Sequence, residues 1–375
     1  MHTKMKYRPS LFLAICTTIV LNSCSVWNTS KVPTLSLLDV KTIPYETSFQ
    51  QTKIGGLSGI DYDAKNDRYL MISDDRSEKN NARIYEAKIK IKDQKIDTIT
   101  FEKVIFMKNK NQEFFQNYRK NQLDSVDPED VRYNPNNNQL YWTSEGDRIT
   151  NTTPPILVDP SIFVTKENGD YISEFQIPEN LKMSATETGP RRNGVLEGLS
   201  FNIDFTKIYT NVEEPIFQDG ETSTLQKGGI IRFYEFDINS QKNTQQFFYV
   251  LDPVAKAPIP STAFAVNGVS GFINYKKDKL LVLERSYSTG TAACTIKIFD
   301  FDIKKATIAT ENAPKNIQNS KKLVLNLDTL GIFIDNVEGI SLGPKLPNGK
   351  QTLLLISDNN FSDKQKNQIF LFQIN

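Results

Sequence analysis

The sequence predicts an all-β fold: a β-propeller of five four-stranded blades, closed by an N-terminal strand that completes the last blade. Three observations lead there. One two-strand unit, with an acid or serine on its first apolar run and an acid ending its second, occurs five times. Segments of strand length, bounded by turn residues, fill the intervals between units. The last unit is one strand short, while one strand stands unassigned at the N-terminus.

The units begin at Gly55, Asp127, Asn193, Asn267 and Asp335. Their first key position holds Ser58, Glu129, Glu197, Ser270 and Glu338, at intervals of 71, 68, 73 and 68 residues. The second holds Asp74, Glu145, Glu213 or Glu214, Glu284 and Asp358. This spacing exceeds the ~40–50 residues of common propeller repeats and leaves room for loop insertions. A sandwich or parallel β-helix accounts for the repeat but not for the missing strand. Six blades is the alternative, if residues 108–126 or the strands after Ile156 hide another.

In order along the chain, TLSLLDVKTI (34–43) reads as the spare strand. Unit one supplies GLSGIDY, RYLMISD, ARIYEAKIKI and DTITFEKVIFM, the last alternating polar and apolar as a half-buried strand does. Residues 108–126 interrupt the pattern. Phe114, Phe115 and Tyr118 at helical spacing predict a short helix there, with an Asn/Gln/Lys-rich loop as the alternative. Unit two gives EDVRY, QLYWTSE, SIFVTK and YISEFQI; unit three gives LEGLSF, KIYTNVE, IIRFYEFD and QQFFYVL. Unit four gives VSGFINY, KLLVLER, CTIKIFDFD and KKLVLNL. Unit five ends the chain with VEGISL, TLLLISD and QIFLFQI.

The first 23 residues read as a secretory signal: Lys4, Lys6 and Arg8 precede the apolar run Leu11 to Leu21, which is too short to span ~30 Å of hydrocarbon. Leu21-Asn22-Ser23-Cys24 resembles a bacterial lipobox, which makes Cys24 the lipidation site; a plain signal peptide cleaved nearby is the alternative. Residues 24–33 are then a lipidated tether and 34–375 one propeller domain, anchored to the bacterial cell envelope. Removing residues 1–23 moves the formal charge from +1 to −2. That balance gives no footprint for nucleic acid, and a monomer is expected.

Cys294 is the one cysteine left after Cys16 and Cys24, so no internal disulfide forms. The only histidine is His2. A mature chain without histidine excludes Ser-His-Asp and Cys-His chemistry and His-ligated zinc. Carboxylates, Arg, Lys, Tyr or a metal on oxygen ligands remain.

In a propeller the first strands line the central channel, so the two key positions of five blades must converge at one mouth. Two carboxylates ~4 Å apart repel by about 4 kcal/mol at an effective dielectric near 20. Such a ring needs bound metal, paired arginine or raised pKa values. Oxygen ligands favour calcium, with magnesium possible, over zinc or copper. Arg76, Arg148 and Arg285 follow the acids closely and Arg191-Arg192 precede Glu197, a composition suited to holding phosphate. The bland alternative is that repeated acids cap turns and pair between blades.

These residues together resemble the bacterial phytase-like family, described by an esterase-like activity of phytase. The matching motifs are GGLSGIDYD with ISDD, DPEDVRY with SEG, RRNGVLEGLSF with NVEEP, VNGVSGF with LVLERSYS, and DNVEGISLGP with LLLISDNNF. They occur in order over nearly all of residues 50–362. The resemblance implies a propeller and phosphoester hydrolysis at clustered acids, with Asp130 standing where glycine is usual. On this basis Glu197, Glu284, Arg285, Glu338 and Arg192 are the candidate catalytic residues. Asp74, Glu129, Glu145, Glu214, Asp358 and Asn359 are the candidate metal ligands. The expected substrate is a small phosphoester; a non-catalytic propeller binding a ligand or protein at the same mouth is the rival.

Overall fold

Five antiparallel four-stranded sheets follow one another around a central axis in the computed structural model. It describes residues 32–375 except 312 and 315, together with 1–3 and 5. The apolar run Leu11 to Leu21 and Cys24, the expected lipidation site, lie outside the described residues. Blade I is Leu57–Asp63, Arg68–Ser73, Arg83–Lys92 and Lys95–Phe106. Blade II is Pro128–Asn134, Gln139–Ser144, Ser161–Lys166 and Tyr171–Glu174, and blade III is Leu196–Phe201, Lys207–Val212, Ile230–Asp237 and Lys242–Val250. Blade IV runs Ala265–Lys276, Lys279–Ser288, Thr295–Asp302 and Lys321–Asn326. Blade V takes Asn336–Lys345, Gln351–Asp358 and Asn367–Ile374 from the C-terminus.

The fourth strand of blade V is Leu35–Ile43, paired antiparallel with Asn367–Ile374. Main-chain bonds between Thr34 and Asn375 close the seam. The five innermost strands pack in cyclic order, that of blade V against that of blade I. The ring therefore has five blades. The strands after Ile156 are no sixth blade: Ile156–Val158 pairs with Asp147–Ile149 as a small hairpin inserted in blade II.

Turn chemistry defines each innermost hairpin. Asp67, Asn138, Phe205, Asp278 and Gly349 all adopt positive φ there, a region that Asn, Asp and Gly enter at least cost. The second strands are almost wholly apolar and buried, for example Leu353 to Ile356, because each is covered by a blade on both faces. Trp142 is buried in the core between blades, stacked on Phe163 at 4.3 Å.

The predicted helix around Phe114 to Tyr118 does not form. Among the described residues the insertion carries turns and the 3-10 segment Gln122–Asp124. Phe115 alone goes inward, edge-on to Trp142 at 5.9 Å, while Phe114 stays 43% exposed. With one aromatic in and one out, no continuous apolar face exists to hold a helix down.

The channel is plugged at mid-height by Arg132, which is 2% exposed. Its guanidinium donates to carbonyl oxygens of all five innermost strands: Ile60 at 2.5 Å, Val131 at 3.1 Å, Leu199 at 2.6 Å, Phe272 at 3.3 Å and Ile340 at 3.0 Å. Asp130 pairs with it at 2.8 Å. Asp130 stands where the other blades have Gly59, Gly198, Gly271 and Gly339, and it packs against Gly59 of blade I. A Cβ on Gly59 would lie 2.6 Å from its Oδ1.

Candidate functional site

One irregularity places the site. In every blade the register between first and second strands slips at the first key position, at Ser58, Glu129, Glu197, Ser270 and Glu338. A bulge leaves one residue out of the ladder and re-aims its side chain. Here it turns three of the five side chains toward the mouth. Ser58 and Ser270 bridge to the next blade, donating to the Glu129 and Val337 carbonyls at 2.7 and 3.1 Å. Glu129, Glu197 and Glu338 instead face a cavity of about 680 Å³.

The second key position forms a ring beside them. Blade I places Asp74 after its second strand, blade II Glu145, blade III Glu213 and blade V Asp358. Blade IV places Arg285 there. The register decides this: Gly268 pairs with Arg285 in blade IV as Asn336 pairs with Asp358 in blade V. Glu284 is one residue too early, and a slip of one residue sends a strand side chain to the opposite face. The candidate Glu284 therefore lies away from the mouth. Tyr249 Oη, the Asp252 amide and Asn267 Nδ2 donate to it, and Lys321 pairs with it.

Four further candidates fall outside the cavity lining. Glu214 follows Glu213 and points elsewhere by the same alternation, while Glu213 accepts Arg285 Nη2 at 2.7 Å. Asn359 is a turn residue whose Oδ1 accepts the Gly56 and Phe361 amides at 3.1 and 3.2 Å. Arg192 is half-exposed, bonded to Asp147 at 2.9 Å and to Tyr118 at 3.2 Å. Arg191 and Arg148 likewise hold loop carbonyls and lie against Phe217. Asp358 is buried just behind the lining, where it accepts the Asn360 amide at 2.8 Å.

Asp127 joins the site without having been picked out. It stands two residues before the bulge of blade II, where the other blades have Gly56, Val195, Gly268 and Asn336, so no repeat marked it. One carboxylate oxygen each from Asp74, Asp127 and Glu129 lie within 4.8 Å of one another. Arg76 pairs with Asp127 on one side.

Electrostatics in the mouth are lopsided. Eight carboxylates and three cationic side chains line it, an excess of five negative charges when all are ionised. Burial first, then neighbouring acids, push Glu129, Glu197 and Asp74 well above the usual carboxylate range. Burial raises Glu145 and Glu338 to about 8. Burial works against the charge of Arg285, but Glu213, Glu338 and Glu197 outweigh it and raise its pKa. Most acids also have partners: Glu145 takes the Val195 amide at 2.7 Å, and Glu338 takes Asn336 Nδ2 at 2.8 Å. Glu129 and Glu197, 8% and 7% exposed, have no hydrogen-bond or ion-pair partner for their carboxylates among the described residues.

Such a donor set fits a divalent cation. Buried carboxylates without partners are costly, and three oxygens at this spacing on a rigid scaffold suit calcium or magnesium, which take oxygen ligands.

Among solved structures the chain is similar to an α-L-arabinofuranosidase from Lactobacillus brevis, at 9% identity over 88% of this chain and 94% of that one, TM-score 0.47. It is also similar to an endo-arabinase from Bacteroides thetaiotaomicron, at 14% identity over 88% and 95%, TM-score 0.43. A periplasmic gluconolactonase of Pseudomonas aeruginosa matches at 8% identity over 87% and 89%, TM-score 0.35. At these values the likeness says nothing of chemistry. No curated protein matches the chain. The family of "Esterase-like activity of phytase" matches residues 52–361, the span holding every innermost strand of the ring and every acid of its mouth. The chain belongs to the phytase-like family.

Proposed function

We propose that the protein is a divalent-metal-dependent phosphoester hydrolase, held to the bacterial cell envelope by a lipid on Cys24. One observation carries the catalytic part of this reading: Glu129 and Glu197 are buried at the mouth, open to its cavity and unpartnered. Asp74, Asp127 and Glu129 would hold the cation, calcium or magnesium. Once bound, it would offset the excess negative charge, favour the ionised form of Glu197 and polarise the phosphoryl group.

The chain supplies the remainder. Glu197 takes a proton from the attacking water as the water oxygen bonds to phosphorus. Glu338, protonated at neutral pH by its raised pKa, gives a proton to the alcohol oxygen as its bond to phosphorus breaks. Arg285 is fixed by Glu213 and by Asn336, each at 2.7 Å, and Arg76 by Asp127. Both guanidiniums are thereby pre-oriented toward phosphoryl oxygens.

The test is a titration of metal-stripped protein with calcium or magnesium, followed by thermal unfolding and by release of alcohol from phosphomono- and phosphodiesters. Metal-dependent turnover is expected. Stabilisation by metal with no turnover of any ester would leave a ligand-binding propeller instead.

A further inference from the structure

Acids reach the mouth from blades I, II, III and V, and blade IV alone gives it none. Blade IV and the connection into blade V present Tyr287, Ala292, Ala293 and Phe333. Tyr287 is 37% exposed and Phe333 41%, large rings partly open to water at the cavity wall, with Lys366 Nζ 5.0 Å from the Phe333 centroid. Phe264 lies against Tyr287 with ring centroids 6.2 Å apart, and is itself 64% exposed. Exposed rings grouped at the edge of a polar cavity mark a place for a ligand's apolar part.

Charge sets the other limit. One divalent cation reduces the negative excess of the lining from five to three. Protonating some carboxylates neutralises them but adds no cation. Arg76 and Arg285, held by Asp127 and Glu213, serve one phosphate, and beyond them the lining offers further phosphates only Lys364. A phosphate monoester carries about −1.5 to −2 at pH 7, so an inositol hexakisphosphate carries roughly −9 to −12.

Resting on the hydrolase reading, we infer that the mouth selects singly phosphorylated esters of flat, apolar alcohols and refuses polyphosphorylated inositol. The phosphate sits at the acidic side beside the cation, and the alcohol lies along Tyr287 and Phe333. Hydrolysis then adds water across the P–O bond, releasing inorganic phosphate and an aryl or similarly flat alcohol.

The experiment is calorimetric binding to calcium-loaded protein of phenylphosphonate, methylphosphonate and inositol hexakisphosphate, with calcium kept in excess of the last. Turnover of phenyl phosphate and inositol hexakisphosphate is measured in parallel. Phenylphosphonate is expected to bind roughly three- to tenfold tighter than methylphosphonate, an advantage that Phe333→Ala or Tyr287→Ala removes. Inositol hexakisphosphate is expected neither to bind nor to turn over. Binding of it as tight as phenylphosphonate, or its turnover, overturns the inference and leaves the hydrolase reading standing. An undiminished phenyl advantage in both alanine variants also overturns it. If no phosphonate binds and no ester turns over with calcium present, the hydrolase reading falls and takes the inference with it.

Discussion

Arg285 Nη2 lies 2.7 Å from Glu213 Oε1 across the boundary between blades III and IV. These two residues occupy equivalent positions in neighbouring blades, one basic where the other four are acidic. The pair joins the blades and keeps a cation inside an otherwise negative ring.

Replacing Arg285 by Met strands Glu213 and weakens the surroundings of Glu338. Removing one partner of a buried pair costs about 3–5 kcal/mol, so urea unfolding at pH 7.5 should show a loss of that order. The deficit should shrink as pH falls, because burial raises the pKa of Glu213 and favours its neutral form.

Metal-free protein should lose stability as pH rises. Glu145 and Glu338 titrate near 8 and Asp358 near 6 in the fold, against ~4 when unfolded. A raised carboxyl binds more protons folded than unfolded. Its contribution is complete below about pH 4 and is lost as pH climbs toward 8. Thermal scans in chelator across pH 4–9 should show this slope. Calcium should flatten it, because a cation favours the deprotonated ligands.

Glu129→Gln and Glu197→Gln should separate. The first removes a ligand oxygen's charge, so the calcium-induced rise in melting temperature should disappear along with activity. The second should keep the calcium response and lower kcat by about 10²–10⁴, the range for a positioned base.

Glu284→Gln is expected to behave as a core defect. Its carboxylate pairs with Lys321 and accepts from Tyr249 and Asn267, so the melting temperature should fall. The kcat and KM of the folded enzyme should match those of the parent on every ester tested.

Arg132→Leu should prevent folding or lower stability by about 3–5 kcal/mol, since it leaves Asp130 unpaired and five carbonyls without their common donor. Adding Asp130→Gly gives blade II the residue the other four blades carry and should restore part of the loss. Equilibrium unfolding of both variants decides this.

Much of this architecture was legible in the sequence because each blade repeats the same apolar runs, turns and key acids, and because the spare strand fits the missing one. The site was legible wherever the repeat was regular: Glu129, Glu197 and Glu338 were placed by their glycine or aspartate neighbours and apolar flanks. It failed where two polar residues adjoin. Glu284-Arg285 and Glu213-Glu214 each offer two residues for one position, and only the hydrogen-bond register chooses between them. Asp127 and Arg132 occur once rather than five times, so repetition was silent about both. What fixes Arg132 inward is the ring of carbonyls that only the closed fold assembles.

Leu35–Ile43 leaves the ribosome long before Asn367–Ile374, the strand it pairs with. Throughout synthesis the ring stays an open arc, with an unfilled place beside the strand that arrives last. Closure waits until Asn367–Ile374 has been made, and a chain lacking either of these two strands would keep a bare sheet edge available to a second molecule.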